Sequence, residues 1–360
     1  MVYYIRFLKT PKIFQKKKGL QIKAAVAVTT DLGDAFYPEK LQLGYEILSG
    51  DERVVKKDNN GLHCPENTLC LRLDIPIERS HCLKPLRMHL FQKAAAGVGG
   101  TYFGDIPFIV DVWSDYFIFS NHDTTSWRVE RQLVLGNAAP LKIWEDMGDS
   151  IARHIWDSGT AFAAHISGTS HGESTLITNL LGILHGKSRR LNVLELGSGC
   201  GVLGIACAQL IPHSKVVLTD LPEAMDLLEC NMSQARLAKG SELSMTTLNW
   251  ELELPQLVKN QEWDLVLVAD CTYNTDTLPA LVRTLSALIS LCPKAKIVVF
   301  TKVRHSSEAV FFDLMKEAAF VVADQQKIKL PDAYRSLVGL PIETVDIYTF
   351  HDKNHLPGEP

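Results

Sequence analysis

The run Val193-Leu194-Glu195-Leu196-Gly197-Ser198-Gly199-Cys200-Gly201-Val202-Leu203-Gly204 constrains this chain more than any other segment. An apolar strand enters three glycines at a spacing of two, and a helical pattern leaves them. Glycine takes up positive φ freely and, lacking Cβ, lets a ligand come close to the backbone. The helix that follows opens with N–H groups that have no partner inside it. Strand, glycine turn and helix start in this order predict the first βα unit of an open α/β sheet, with a nucleotide-like ligand at the turn.

The flanking pattern agrees. Strands are expected at 191–196, 215–219, 243–248, 264–269, 295–300, 319–324 and 343–350, and helices at 202–211, 222–239, 277–291 and 306–318. Interleaving of this kind predicts an α/β, Rossmann-like sheet, mostly parallel, with helices on both faces. Pro222 fits a first helical turn and Gly240 a left-handed exit from the same helix. Upstream, from about 20 to 137, the period is two: Leu41, Leu43, Tyr45 and Ile47 alternate with polar residues or glycine, as do Leu69, Leu71, Leu73 and Ile75. Further strands are expected at 22–30, 107–113, 115–119 and 127–135, which together make an antiparallel β-rich region. Helices are expected at 145–156 and 159–167, then a polar Gly/Ser-rich patch at 167–174 and another short helix. The 360 residues exceed the roughly 150 of one domain, and the change of period divides them into 1–140, 141–352 and a tail at 353–360. The first 30 residues carry seven basic side chains and no acidic one; with Pro11 and Gly19 against a helix and no serine, a solvated loop ahead of a strand is expected. Gly97-Val98-Gly99-Gly100 lacks the Lys-Ser/Thr and the helix of a phosphate loop.

Spacing and charge narrow the ligand. A dinucleotide fingerprint starting at Gly197 needs its third glycine at 202, which is Val202. Glu195, two residues before the first glycine, is expected to face the ligand, where a carboxylate suits an ammonium group better than a pyrophosphate. Asp220 ends the next strand, placed to accept hydrogen bonds from ribose hydroxyls.

Glu195 to Gly201 resembles motif I of the class I, seven-stranded S-adenosylmethionine-dependent methyltransferases. Trp156-Asp157-Ser158-Gly159 before it and Asp270-Cys271-Thr272-Tyr273 after it are similar to the lysine methyltransferase-like family, which carries a D-x-x-Y motif after its fourth strand. The lead-in Trp144-Glu145-Asp146-Met147-Gly148 and the long β-rich extension resemble one branch of that family. The resemblance covers about 142–350 and implies S-adenosylmethionine as cofactor. It places cofactor contacts on Trp156, Glu195, Gly197, Ser198, Gly199, Gly201, Asp220, Leu221, Trp250 and Ala269. Trp250 and Leu221 would line the adenine and Trp156 the methionine end, where a flat aromatic face suits a sulfonium; core packing is the plainer role for either tryptophan.

The resemblance implies a protein-lysine N-methyltransferase, with Asp270 orienting the amine and Tyr273 shaping the lysine channel. A lysine ammonium has no lone pair until it loses a proton, so aromatic walls and a nearby cation favour the reactive form. The chain has no Asn-Pro-Pro-Tyr after the fourth strand, the signature of enzymes acting on bases or glutamine. Thr301-Lys302-Val303-Arg304-His305 is expected at the substrate mouth, with His305 either a base or a solvated loop histidine. A methyltransferase of a small molecule or nucleic acid and a non-catalytic cofactor-fold protein stay open as alternatives. Lys+Arg 37 against Asp+Glu 41 offers no global charge for holding nucleic acid. No segment is apolar enough to span a bilayer, and no cysteine pair has a CxxC or defensible zinc spacing. A monomer of the cytoplasm or nucleus, without metal or membrane, acting on a protein partner, is the expectation.

Overall fold

The computed structural model describes all residues except 18, 94–101, 104–105, 120–125, 137, 149, 168–189, 332–340 and 356–360. Two sequence features therefore lie outside the described residues, the glycine cluster at 97–100 and most of the 167–174 patch with its following helix. The chain forms two compact units. The first comprises Met1–Gln132, Lys142–His154 and Pro331–Ile342; the second comprises Leu133–Leu141, Ile155–Leu330 and Glu343–Pro360. The first unit thus reaches beyond residue 140, and the chain crosses between units more than once.

The first unit is built from β1 (Tyr3–Lys16), β2 (Gly19–Thr29), β3 (Leu41–Ser49), β4 (Val54–Lys57), β5 (Leu62–Cys64), β6 (Leu71–Ile77), β7 (Leu86–Gln92), β8 (Tyr102–Phe103), β9 (Ile106–Pro107), β10 (Ile109–Val110), β11 (Val112–Ser114), β12 (Arg128–Leu133) and β13 (Leu141–Asp146). One sheet has the order β10-β1-β2-β6 and a second β13-β12-β11-β7-β3-β4, with β5 also on β3. Leu43, Tyr45 and Ile47 point into a core shared with Ile5, Ile22, Leu73 and Met88, as a period of two requires.

Three expectations fail here. The basic N-terminus is a strand, not a loop. Tyr4, Ile5, Phe7 and Ile13 are buried, while Pro11 falls between register shifts in the β1–β2 ladder, where no strand N–H is needed. The helix expected at 145–156 is β13 followed by a single turn at Ile151–Arg153. Glu145 is drawn inside by Arg131, 2.7 Å away and likewise buried; the Arg131 guanidinium also donates to the carbonyls of Val110 and Asp111, at 3.3 and 2.9 Å. A buried pair persists when its remaining donors are satisfied in this way. The expected strand at 115–119 is reduced to an isolated bridge between Leu86 and Phe117.

The second unit carries the sheet β16-β15-β14-β17-β18-β20-β19, formed by β14 (Leu191–Leu196), β15 (Ser214–Asp220), β16 (Glu242–Thr247), β17 (Leu265–Ala269), β18 (Lys296–Thr301), β19 (Phe320–Lys329) and β20 (Thr344–Asp352). Six strands run in one direction, and β20 enters antiparallel between β18 and β19. Its helices are α1 (Asp157–Ile166), α2 (Val202–Leu210), α3 (Met225–Gln234), α4 (Gln256–Lys259), α5 (Leu278–Leu291) and α6 (Ala309–Glu317). Every residue of β14 is buried, as suits a central strand covered on both faces. In α5, Leu278, Leu281, Val282, Leu285, Leu288 and Ile289 recur every three or four residues and fill the core with Val266, Val268 and Ile297. The helix expected to end at 239 stops at Gln234, where Ala235 turns extended. Gly240 instead makes the turn before β16, at φ 73° over the His213 ring.

Candidate active site

The three glycines after β14 all have positive φ: 64° at Gly197, 54° at Gly199 and 80° at Gly201. Their surroundings differ. A Cβ on Gly197 would come 2.6 Å from the Cys271 sulfur and 3.2 Å from the Trp250 ring, so the loop is closed against the ends of β17 and β16. A Cβ on Gly201 would meet Leu228, Ile205 and Leu218; this glycine serves the packing of helices on the sheet, while Gly197 and Gly199 remain partly exposed. Ser198 Oγ accepts from the Thr219 N–H (3.1 Å) and lies 3.5 Å from the Glu195 carbonyl, pinning the loop to β15.

Asp220, at the carboxyl end of β15, accepts from the N–H of Gly199 and of Leu221, each at 2.7 Å. Burial raises its pKa, against the lowering effect of those two hydrogen bonds. Leu221 beside it is 38% exposed. Trp250, after β16, packs on the core with one side and borders the glycine loop with the other. Asp220, Leu221, Trp250 and Ala269 are thus gathered at one end of the sheet with Gly197 and Gly199.

Glu195 is not where the sequence argument put it. It is 2% exposed and turned under the loop, its Oε2 accepting from the Gly204 N–H at 3.0 Å. The reason is strand alternation: Glu195 still belongs to β14 and points to the face covered by α2, whose first turn offers free N–H groups. Burial pushes its pKa up to about 8, with help from the Asp220 charge and against the hydrogen bonds from Gly204 and Ser198. Glu195 ties the helix start to the strand from beneath the loop.

Asp270 follows β17 with a left-handed φ of 49°, held by its N–H on the Phe300 carbonyl at 2.9 Å. Its carboxylate accepts from Ser158 N–H (3.3 Å), Lys302 N–H (3.3 Å) and Arg304 Nη1 (2.9 Å). The Arg304 guanidinium lies 5.2 Å from the centre of the Trp156 ring, and Trp156 caps α1. Tyr273 is half exposed; burial, then the neighbouring Cys271 and Asp220, raise its pKa. Cys271, between the two motif residues, places its sulfur against the carbonyls of Leu196, Gly197 and Ala269 and so joins the motif to the glycine loop.

In the segment after β18, which the sequence put at the substrate mouth, the ion pairs and the role of Glu308 are what the sequence reading missed. Lys302, buried, pairs with Asp157 at 2.7 Å and Glu343 at 3.0 Å. Glu308, 3% exposed, accepts from Thr272 Oγ1 and Thr301 Oγ1 and from the N–H groups of Arg304 and His305, at 3.0, 3.3, 2.9 and 3.2 Å. His305 caps the turn Ser306–Glu308, its Nδ1 accepting from the Ser307 N–H, and it stays exposed on the loop. The alternation Lys302-x-Arg304 beside a strand end was the available signal.

The site fits S-adenosylmethionine on its own geometry. Two glycines present bare backbone at a helix start, a carboxylate and an exposed leucine stand at the next strand end, and the Trp250 ring borders the loop. Ser158 Oγ, fully buried, has no hydrogen-bond partner among the described residues, leaving a polar atom for a ligand to satisfy. Fold and site together define a class I S-adenosylmethionine-dependent methyltransferase. The chain belongs to the lysine methyltransferase family, whose sequence profile matches residues 136–318. A UPF0665 family protein of Schizosaccharomyces pombe is 27% identical over 86% of this chain and 91% of its own length. EEF1A lysine methyltransferase 3 of Xenopus tropicalis is 35% identical over 35% of this chain, and the match spans 54% of that protein. Protein-lysine N-methyltransferase EFM6 of Saccharomyces cerevisiae is 30% identical over 49% of this chain and 74% of its own length.

Proposed function

We propose that this enzyme methylates the ε-amine of a lysine presented by a protein substrate, as the names of its relatives state for them. The observation that carries the reading is Asp270, a buried carboxylate at the carboxyl end of β17, one residue from the thiol that rests on the glycine loop. Ligands of open α/β sheets bind outside these strand ends. In this reading Asp220 takes the ribose hydroxyls, Leu221 and Trp250 the adenine, the Gly197–Gly199 backbone the amino-acid portion and Trp156 its outer face. When bound, the cofactor supplies a methyl carbon made electrophilic by a sulfonium.

The protein's own residues supply position. Asp270 offers a carboxylate oxygen to an N–H of the amine, which fixes the direction of the nitrogen lone pair; holding reactants in such a geometry is the main lever for a displacement of this kind. Tyr273, half exposed three residues further on, forms a wall of the channel in this reading. Aromatic walls disfavour the charged ammonium and so favour the amine that carries a lone pair.

The cytoplasm or nucleus is the compartment we infer, because all eight cysteines are free thiols and such compartments keep them reduced. The test of the activity is tritiated S-adenosylmethionine with a cell lysate. Labelling of a discrete protein band that Asp270→Ala abolishes, with methyl-lysine found on hydrolysis, is the expected result. Label confined to RNA or small molecules overturns it.

A further inference from the structure

We propose that Arg304 is a positioning residue of this active site, one that turns Asp270 from a counter-ion into a hydrogen-bond acceptor for a neutral amine. The proposal rests on the function inferred above and sharpens what its site selects. An unpaired buried carboxylate would attract a lysine in its charged, unreactive form. Asp270 is not unpaired: Arg304 Nη1 lies 2.9 Å from Oδ1, and their side chains are only 15% and 5% exposed. The pair carries no net charge, so an incoming ammonium gains little by approaching it, and the adjacent guanidinium repels it.

Among the described residues, Arg304 and the Lys302 N–H occupy Oδ1, and the Ser158 N–H reaches Oδ2 at 3.3 Å. A carboxylate accepts about four hydrogen bonds, which leaves one acceptor position on Oδ2. A neutral primary amine can use that position through one N–H and keep its lone pair for the methyl group.

Arg304 is fixed on three sides. It donates to Asp270 and to the Lys302 carbonyl, the latter at 3.2 Å; it lies 5.2 Å from the Trp156 ring centre; and its own backbone N–H is held by Glu308 at 2.9 Å. One planar cation therefore joins a residue expected against the cofactor, Trp156, to the residue expected against the acceptor, Asp270. A planar guanidinium can stack and fork at once, and a lysine ammonium cannot.

The test compares Arg304→Met and Arg304→Lys with the parent in the full chain, using S-adenosylhomocysteine binding, tryptophan fluorescence, and tritiated methyl transfer to lysate protein at varied lysate concentration. At least a ten-fold fall in the limiting transfer rate is expected for both variants, with S-adenosylhomocysteine affinity and the half-saturating lysate concentration each changed less than three-fold. Each variant should also alter the emission spectrum, and that change should vanish in a Trp156→Phe background. Full rescue by Arg304→Lys, a loss expressed only in half-saturation, or a spectral change that persists without Trp156 overturns the proposal. If a variant fails to fold, the double variant Asp270→Asn with Arg304→Gln removes both charges and keeps hydrogen-bonding groups; it should bind S-adenosylhomocysteine as the parent does and transfer at least ten-fold more slowly, and parental transfer rates overturn the proposal. Absence of label in any protein with the parent enzyme would refute the lysine reading alone, because the binding and fluorescence arms still report on Arg304.

Discussion

Replacing Glu195 by Gln should stabilise this protein, and more so as the pH rises. The Glu195 carboxyl has a pKa of about 8 in the folded state against a reference of 4.5. Between these values the folded chain keeps a proton that the unfolded chain has lost, so wild-type stability falls with rising pH across this window and levels off above 8. Each pH unit costs about 1.4 kcal/mol, so by pH 7 the loss relative to pH 4.5 is about 3 kcal/mol. Gln keeps an oxygen for the Gly204 N–H, now made by Glu195 at 3.0 Å, and has nothing to titrate. Its amide group introduces a cost of its own, but that cost does not depend on pH. The measurement is urea unfolding of both proteins at pH 5, 6 and 7, and the quantity that matters is the slope of their difference. A difference growing by about 1.4 kcal/mol per unit is expected. A difference that stays constant from pH 5 to 7 would refute the argument, since Glu195 would then be ionised under the loop throughout.

Three other outcomes follow from the same geometry. Gly197→Ala places a Cβ 2.6 Å from the Cys271 sulfur at a φ of 64°; it should weaken S-adenosylhomocysteine binding at least ten-fold by calorimetry and lower the melting temperature by several degrees, about 1–3 kcal/mol. Asp220→Ala should raise the cofactor dissociation constant by ten-fold or more, the loss of hydrogen bonds at a charged acceptor being about 1.5–3 kcal/mol. Glu308→Ala removes the acceptor shared by Thr272, Thr301, Arg304 and His305 and should destabilise the fold by about 2–4 kcal/mol in chemical unfolding, with methyl transfer falling alongside.

The parallel sheet was legible because its causes are local. The apolar run of β14, the glycines that must turn left-handed and the three-and-four spacing of α5 each carry their own instruction. The same holds for Asp220 and Asp270, acidic residues at strand ends in a sheet whose ligands gather there. Where a partner distant in sequence decides the outcome, local reading failed. Glu145 sits in a segment expected to be helical yet is pulled into β13 by Arg131. The lysine-rich first residues form β1 because their apolar alternates find a core built from residues 20–129.

By itself, then, the sequence determined the class of sheet, the glycine loop and the identity of the acids at its edge, since period, chirality and strand order are properties of short stretches. Only the tertiary structure decided what those acids touch. Glu195 and Asp270 are both carboxylates at strand ends, but α2 covers one and gives it a backbone N–H, while the loop after β18 brings the other an arginine. A carboxylate's protonation and reach depend on the groups packed around it, and residues 270 and 304 meet only when the chain has folded.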